Sequence, residues 1–395
     1  MVEWKEISSL GDYFGGLTGK SKKDFENGNA KFITYMNVFS NPSLDVKTVG
    51  MVHINEGERQ NKVQKGDVLF SGSSETPDEA GMACVVTDAL EGDYYMNSFC
   101  FGLRLHNSEQ YNLHYLKHVF RSYNIRKAIS KTASGVTRFN ISKARFGKVH
   151  IPIPSLAEQN RIVGILDTFT DSIENLKQQI AQRRKQFEFY RDQLLDLEGK
   201  EGVEMKTLID VLEQPITDGP HESPKFYDEG IPFISADAIV NNKIDFKRKR
   251  GYISEEYDMQ CRKKYKPQLH DIYMVKSGST TGKVAIVKTD KRFNIWSPLA
   301  AIRVNSKNDP MFIFYSLQIK NIQDQVKLKC SKGSQPNLSM RVLEKFSLPI
   351  PPLSEQQRIV SILDTFEASI SNLEAQLVQR QKQYEYYRNQ LLTFE

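Results

Sequence analysis

Two segments of the chain carry the same hydrophobic rhythm. In the first, apolar residues fall at Ile162, Leu166, Phe169, Ile173, Leu176 and Ile180, then at Phe187, Tyr190, Leu194 and Leu197. In the second they fall at Ile359, Leu363, Phe366, Ile370, Leu373 and Leu377, then at Tyr384, Tyr387, Leu391 and Phe394. The steps alternate four and three, the period of a coiled-coil seam, and Arg183 and Arg380 fill the one missing position in each. Each segment predicts a helix of about 40 residues, roughly 60 Å long. Ser155 and Glu158 predict a capping box at the first helix start, and Pro352 replaces that serine in the second. The Ile151-Pro152-Ile153-Pro154 and Pro349-Ile350-Pro351-Pro352 runs before the helices predict rigid, non-helical hinges. A stripe this long must be buried, and the economical partner for each helix is the other. Antiparallel pairing would relate two halves of the chain by a pseudo-twofold axis.

The two segments are copies. Residues 151–198 and 348–395 agree at 30 of 48 positions, at an offset of 197. A period of half the chain means a duplicated two-part unit and not a solenoid. Fainter echoes extend the duplication to the whole half. Val2-Glu3-Trp4-Lys5 resembles Val203-Glu204-Met205-Lys206, and Gly66-Asp67-Val68-Leu69 sits where the second half has His270-Asp271-Ile272-Tyr273. Asn140-Ile141-Ser142 matches Asn337-Leu338-Ser339. Between these marks the halves differ almost completely. One scaffold therefore carries two unlike globular inserts, which suggests two binding modules of different specificity.

Composition narrows the class. The 395 residues are 39% hydrophobic and 26% charged, which fits two or three folded domains and not disorder. No apolar run reaches the roughly 18 residues a membrane span needs. The start, Met1-Val2-Glu3-Trp4-Lys5-Glu6, lacks a signal pattern, and Cys84, Cys100, Cys261 and Cys330 are too scattered for a disulfide framework. A cytoplasmic protein with no membrane contact is expected.

The net charge of +6 is modest but unevenly placed. Residues 1–95 sum to −6, whereas residues 96–150 hold ten basic side chains and one acidic. From Lys117 to Lys148 nine cations (Lys117, Arg121, Arg126, Lys127, Lys131, Arg138, Lys143, Arg145 and Lys148) meet no acid. In the second half the densest clusters are Lys247-Arg248-Lys249-Arg250 and Arg262-Lys263-Lys264. A loop with Lys332, Ser334, Gln335 and Asn337 lies where the first half has Lys131, Ser134, Thr137, Arg138 and Asn140. Lysine and arginine would hold phosphates while Asn, Gln, Ser and Arg read base edges. Together with Lys20 and Lys22, these are the candidate DNA-binding residues.

Catalytic signatures are missing. Gly15-Gly16-Leu17-Thr18-Gly19-Lys20-Ser21 ends like a P-loop but has Phe14 where the first glycine belongs, and Gly278 to Val284 is one residue short. His114 and His118 stand four apart, but no glutamate follows His114, so the zincin pattern fails. There is no Asn/Asp-Pro-Pro-aromatic methyltransferase signature and no nucleophile elbow.

The doubled Pro-Ile-Pro-x-Leu-x-Glu-Gln-x-Arg-Ile-Val-x-Ile-Leu-Asp-x-Phe helices, each after a variable globular region, resemble the specificity subunit of type I restriction–modification systems. Gly15-Gly16-Leu17-Thr18-Gly19-Lys20, Asp218-Gly219-Pro220-His221 and Gly230-Ile231-Pro232-Phe233 also look like that family, which more commonly has threonine at the place of Pro220. The resemblance covers the whole chain. It implies an α+β fold: two mainly β target recognition domains, residues 1–150 and 201–347, joined by two long spacer helices, residues 151–200 and 348–395. The helices would form an antiparallel coiled coil, a ruler between the two halves of a bipartite DNA target. It implies a non-catalytic chain that binds double-stranded DNA and no cofactor. Two methyltransferase subunits would methylate adenine, and restriction subunits would complete the complex. The competing readings are a coiled-coil adaptor that joins proteins without DNA and, more weakly, a nuclease with an unrecognised site.

Overall fold

The computed structural model describes residues 2–331 and 336–394. It forms two compact units, Met1–Gln178 with Ala375–Glu395, and Gln179–Glu374. The long helices run Leu156–Leu194 and Leu353–Leu391. Each therefore gives its first part to one unit and its last part to the other.

Within the first unit Ile162 and Leu166 share a core with Leu391, Leu392 and Phe394, and the Phe169 ring stacks on Tyr387 with centroids 5.2 Å apart. Within the second, Tyr190 stacks on Phe366 at 5.4 Å, while Arg184 meets Glu374 at 2.6 Å. Residue numbers rise along one helix as they fall along the other, so the pairing is antiparallel. Of the expected interface residues, Ile162, Leu166, Ile180, Phe187, Ile359 and Leu363 are buried. Phe169, Ile173, Leu176, Phe366, Ile370, Leu373, Leu377 and Tyr384 are half-buried. A seam between only two helices leaves its flanks open, which accounts for the difference. Arg380, in the gap of the second seam, lies over the Phe169 ring at 5.6 Å.

Two local expectations need correction. The proline-containing runs are not mere hinges. His150–Ile153 pairs antiparallel with Glu3–Glu6, and Ser347–Ile350 pairs with Glu204–Thr207. Each is a two-stranded ribbon, where an edge tolerates a residue with no N–H to donate. These ribbons explain the Val2–Lys5 and Val203–Lys206 echo. The capping box at the first helix is half made: Ser155 Oγ accepts from the Glu158 N–H at 3.4 Å, but the Glu158 carboxylate turns to Arg161 at 2.7 Å.

The globular parts share one plan despite their unlike sequences. In the first unit Gly11–Gly15, Cys100–Leu105, Val68–Ser71 and Ala83–Val85 form an antiparallel sheet in that order; Thr217–Asp218, Leu299–Ile302, Ile272–Val275 and Val284–Ile286 do the same in the second. A second sheet in each contains one parallel pair, Ala30–Ile33 with Tyr94–Met96 and Ile231–Ile234 with Asn294–Ile295. The Gly66-Asp67 and His270-Asp271 echo marks equivalent turns. Gly66 has φ +92° and His270 φ +69°. The following aspartates, both buried, bind Arg104 and Arg303 at 2.7 Å. No helix among the described residues is long and apolar enough to cross a membrane.

Candidate DNA interface

In the first unit a short hairpin carries most of the candidate residues. Ala133–Ser134 pairs with Phe139–Ile141, and Asn140 lies opposite Ser73. The tip is Gly135-Val136-Thr137-Arg138. Gly135 has φ +151°, and a Cβ there would sit 1.9 Å from the Arg138 carbonyl oxygen, so the turn needs glycine. Val136 at the tip is 92% exposed. Arg138 lies over the exposed Phe99 ring at 4.9 Å, and Lys143 over Phe101 at 5.3 Å. Ser134, Thr137, Arg138, Asn140 and Lys131 are all exposed. The hairpin thus presents hydroxyl, amide and guanidinium groups in one place, with an aromatic surface bracing the arginine.

The rest of the basic run from Lys117 to Lys148 does not form one face. Arg121 donates to the carbonyl oxygens of Ala83, Val38, Phe39 and Asn41. Arg126 does the same with Gly81, Asp78 and Ala80. Burial pushes both guanidinium pKa values down to about 10. Lys117 is committed to Asp167 at 2.8 Å. All three are engaged within the fold, and the two arginines suit that role because a guanidinium with five donors can bind several carbonyls at once. Lys20 is also engaged internally. Its ammonium meets Glu58 at 2.5 Å, and that contact, with hydrogen bonds from Asn55 and Gln60, holds the Glu58 carboxyl at about 2. Lys22 stays exposed in the single turn Lys22–Phe25.

The second unit gathers its cations differently. Lys247 and Arg248 sit on the turn Phe246–Arg248, whose Lys247 N–H donates to Asp245. Arg248 is 3.6 Å from Asp245. Lys249 lies over Tyr252 at 4.6 Å, and Arg250 over Trp296 at 4.9 Å, with Asp237 at 3.6 Å. Lys263 is exposed on the helix Glu255–Lys264, whose last residue reaches Asp218. Asn337 bridges Ser277, as Asn140 pairs with Ser73 in the first unit. Lys332, Ser334 and Gln335 lie outside the described residues.

Asp218 is a centre that the candidate residues did not include. Its carboxylate is 2% exposed and takes Lys264, Lys276 at 3.3 Å and His221 Nε2 at 3.2 Å. Burial opposes its ionisation, but the two lysines outweigh this and hold its pKa below the usual carboxylate range. Gly219 must be glycine, since a Cβ would lie 2.0 Å from the Ile295 carbonyl oxygen. The Asp218-Gly219-Pro220-His221 motif was the available signal. Lys276, distant in sequence, carried none. Among the described residues no group of three or more His, Cys, Asp or Glu could hold a metal.

Comparison with known proteins agrees with this construction. The family model for the type I restriction modification DNA specificity domain matches residues 1–183 and again 200–380. The specificity subunit of the EcoR124I/EcoR124II type I restriction enzyme of Escherichia coli is 33% identical over 262 residues, covering 62% of this chain and 63% of that protein. A putative type I restriction enzyme specificity subunit of Haemophilus influenzae is 30% identical over 307 residues, 73% of this chain and 74% of the relative. A type I restriction–modification S subunit from M. genitalium has the same fold, with a TM-score of 0.53 at 15% identity over 100% of this chain and 97% of the other. So does a chain from a structure concerned with complex assembly in the type I system, with a TM-score of 0.60 at 17% identity over 99% and 97%. The chain belongs to the type I restriction–modification specificity subunit family and carries the DNA specificity domain twice. That membership displaces the adaptor without DNA.

Proposed function

We propose that this chain reads a bipartite DNA sequence and places partner subunits on it. Residues 1–150 and 201–347 act as two target recognition domains, and residues 151–200 and 348–395 as the spacer between the half-sites. The observation that carries the reading is the duplication: each specificity domain is seated on the beginning of one long helix and the end of the other. Two unlike domains on a repeated frame suit two unlike half-sites at a fixed separation. The exposed hairpin around Arg138 contacts DNA in the first domain. Arg250, Lys263, Lys264 and Asn337, with Lys247, Arg248 and Lys249, do so in the second.

The chain itself is non-catalytic and needs no cofactor. Two methyltransferase subunits bind it and methylate adenine, and restriction subunits join them in the cytoplasm. Its binding to DNA falls steeply with added salt, because phosphate contacts release counterions. The test is co-expression with the methyltransferase subunit encoded beside it, followed by genome-wide mapping of methylated adenines. The expected result is one asymmetric motif with two specified halves and a fixed gap. No new methylation in a preparation where the proteins associate would overturn the reading.

A further inference from the structure

The joint between each globular part and the long helices is built from three positions that recur at the repeat offset of 197, and their chemistry differs between the units. In the first unit they are His118, Asp167 and Tyr384. His118 is fully buried; its Nε2 is 2.8 Å from Asp167 Oδ1, and its Nδ1 is 2.9 Å from the Tyr384 hydroxyl. In the second unit the same positions are Tyr315, Asp364 and Phe187. The Tyr315 hydroxyl donates to Asp364 Oδ1 at 2.6 Å. The ring pairs have nearly one geometry: His118 and Tyr384 lie 5.9 Å apart at 61°, Tyr315 and Phe187 6.0 Å apart at 64°. Arg388 covers the Tyr384 ring at 5.1 Å and Arg191 the Phe187 ring at 5.8 Å.

Within the three positions the polar atoms differ, and in each joint they are matched. Beside them Asp167 also takes Lys117 at 2.8 Å and His114 at 3.3 Å, where the second unit has Phe314 and Met311. An imidazole has two nitrogens to satisfy. Asp167 takes one and the Tyr384 hydroxyl the other. A phenol has one hydroxyl, which Asp364 takes. The Tyr315 ring carries no nitrogen, and its neighbour Phe187, 6.0 Å away, offers no polar side-chain atom. Exchange of the third ring would spoil both joints. A phenylalanine at 384 leaves a buried nitrogen without a partner, and a tyrosine at 187 aims a hydroxyl at carbon.

We propose that these triads are matched keys that assign each helix end to its own recognition domain. The need for such a device follows from the repeat. The helices share the aspartate, the stacking phenylalanine and most seam residues, so apolar packing alone barely distinguishes the end of one from the end of the other. The same ambiguity admits the corresponding helix of a second copy of this chain, which would set Phe187 against His118. A polar group at one seam position is a known way to fix partner choice at a cost in stability. The key therefore lies at positions 118/315 and 384/187, while the aspartate between them is common to both.

The test uses the full chain and urea unfolding of each unit, followed by a fluorophore in that unit. Tyr384→Phe and His118→Tyr each lower the unfolding midpoint of the first unit. The pair His118→Tyr with Tyr384→Phe installs the second unit's key, and the midpoint returns to the wild-type value. Phe187→Tyr, Tyr315→His and their pair give the same pattern in the second unit. A second readout separates a key from mere packing. The groups facing His118 are Asp167, Lys117 and Arg388 and the Tyr384 hydroxyl, with His114 also on Asp167. With the installed key the first unit loses the part of its acid sensitivity between pH 7 and 5 that His118 supplies, whereas the second unit acquires such sensitivity from Tyr315→His with Phe187→Tyr. Losses in the paired variants that equal the sum of the single losses would overturn the proposal, as would single variants as stable as the wild type.

Discussion

Gln159 Oε1 accepts a hydrogen bond from the Asn112 backbone N–H at 2.8 Å. In the second unit Gln356 Oε1 accepts from the Asp309 N–H at 2.9 Å. Each glutamine also donates to the proline carbonyl at the start of its own helix, Pro154 or Pro351, at 2.9 Å. Asn112 and Asp309 in turn cap the short helices Leu113–Val119 and Pro310–Ser316. One buried amide thus ties the first turn of a long helix to a capping residue of the globular part. This is the Gln of the repeated Glu-Gln pair, and its burial explains why an amide stands among surface residues at a helix start.

Gln159→Leu is expected to remove both bonds while keeping the volume. It leaves the Asn112 N–H and the Pro154 carbonyl without partners, a loss of about 1–3 kcal/mol for a buried unsatisfied group. Urea unfolding of the first unit should register that loss, and Gln356→Leu should produce a similar one in the second. A loss under about 0.5 kcal/mol would mean that water replaces the amide at no cost.

Acid should weaken the first unit before the second. Burial lowers the His118 pKa below its usual value, partly opposed by Asp167. The folded unit keeps His118 neutral, while the unfolded chain takes up a proton near pH 6.5. Stability is therefore full above about pH 6.5 and declines as pH falls below it, by at most about 1.4 kcal/mol per pH unit for one group. Asp167 acts later. Burial opposes its ionisation, but His118 and Lys117 hold it at about 2, so its contribution is present above about pH 4 and lost on further acidification. Tyr315 at the equivalent place does not titrate in this range. Urea midpoints at pH 7, 6 and 5 would check the order, and equal declines in both units would refute it.

Arg138→Ala should weaken DNA binding without a change in stability, since the side chain is exposed and rests on Phe99. A base or phosphate contact of this kind is worth about 1–3 kcal/mol, or roughly 5- to 150-fold in affinity. Gly135→Ala should have a comparable effect through the turn, because its Cβ collides with the Arg138 carbonyl. Anisotropy titrations with target DNA, in the methyltransferase complex, would measure both. Unchanged affinity and target choice would remove the hairpin from the interface.

The parts of the molecule legible in the sequence are those fixed by periodic burial. The seam from Ile162 to Phe187 and its copy from Ile359 to Tyr384 could be read because a helix that pairs along its length must repeat its apolar positions. Charge was less legible. Arg121, Arg126 and Lys20 look like Arg138 and Lys131 in the sequence, yet the first three bind carbonyl oxygens or Glu58 inside the fold. Nothing local distinguishes a cation aimed at backbone from one aimed at solvent; the partner strand or loop decides. The Asp218 centre was obscure for the same reason, since Lys264 and Lys276 come to it from separate elements. The common plan of the two globular parts was hidden too. Their strands alternate different apolar residues over the same topology, and only turns such as Gly66-Asp67 and His270-Asp271 leave a trace.

The helices offer a direct test of the ruler. Removal of seven residues from the middle of both long helices takes out one full repeat of the seam and keeps apolar positions facing apolar positions. It shortens each helix by about 10 Å at 1.5 Å per residue. At about 3.4 Å per base pair along the duplex, the half-sites should move together by about three base pairs. The helices then turn by only roughly 20° between seven residues and two helical turns, whereas three base pairs turn the duplex by about 100°, so the closer spacing also requires the DNA to twist or bend. Mapping of methylated adenines with the shortened chain should therefore return the same two half-sites with a spacer shorter by about three base pairs, where DNA flexibility blurs the value by one. Deletion from one helix alone breaks the seam and should abolish methylation. The same spacer in the shortened chain and the full-length one would show that the helices do not set the distance, and the recognition domains would then have to be positioned by the partner subunits.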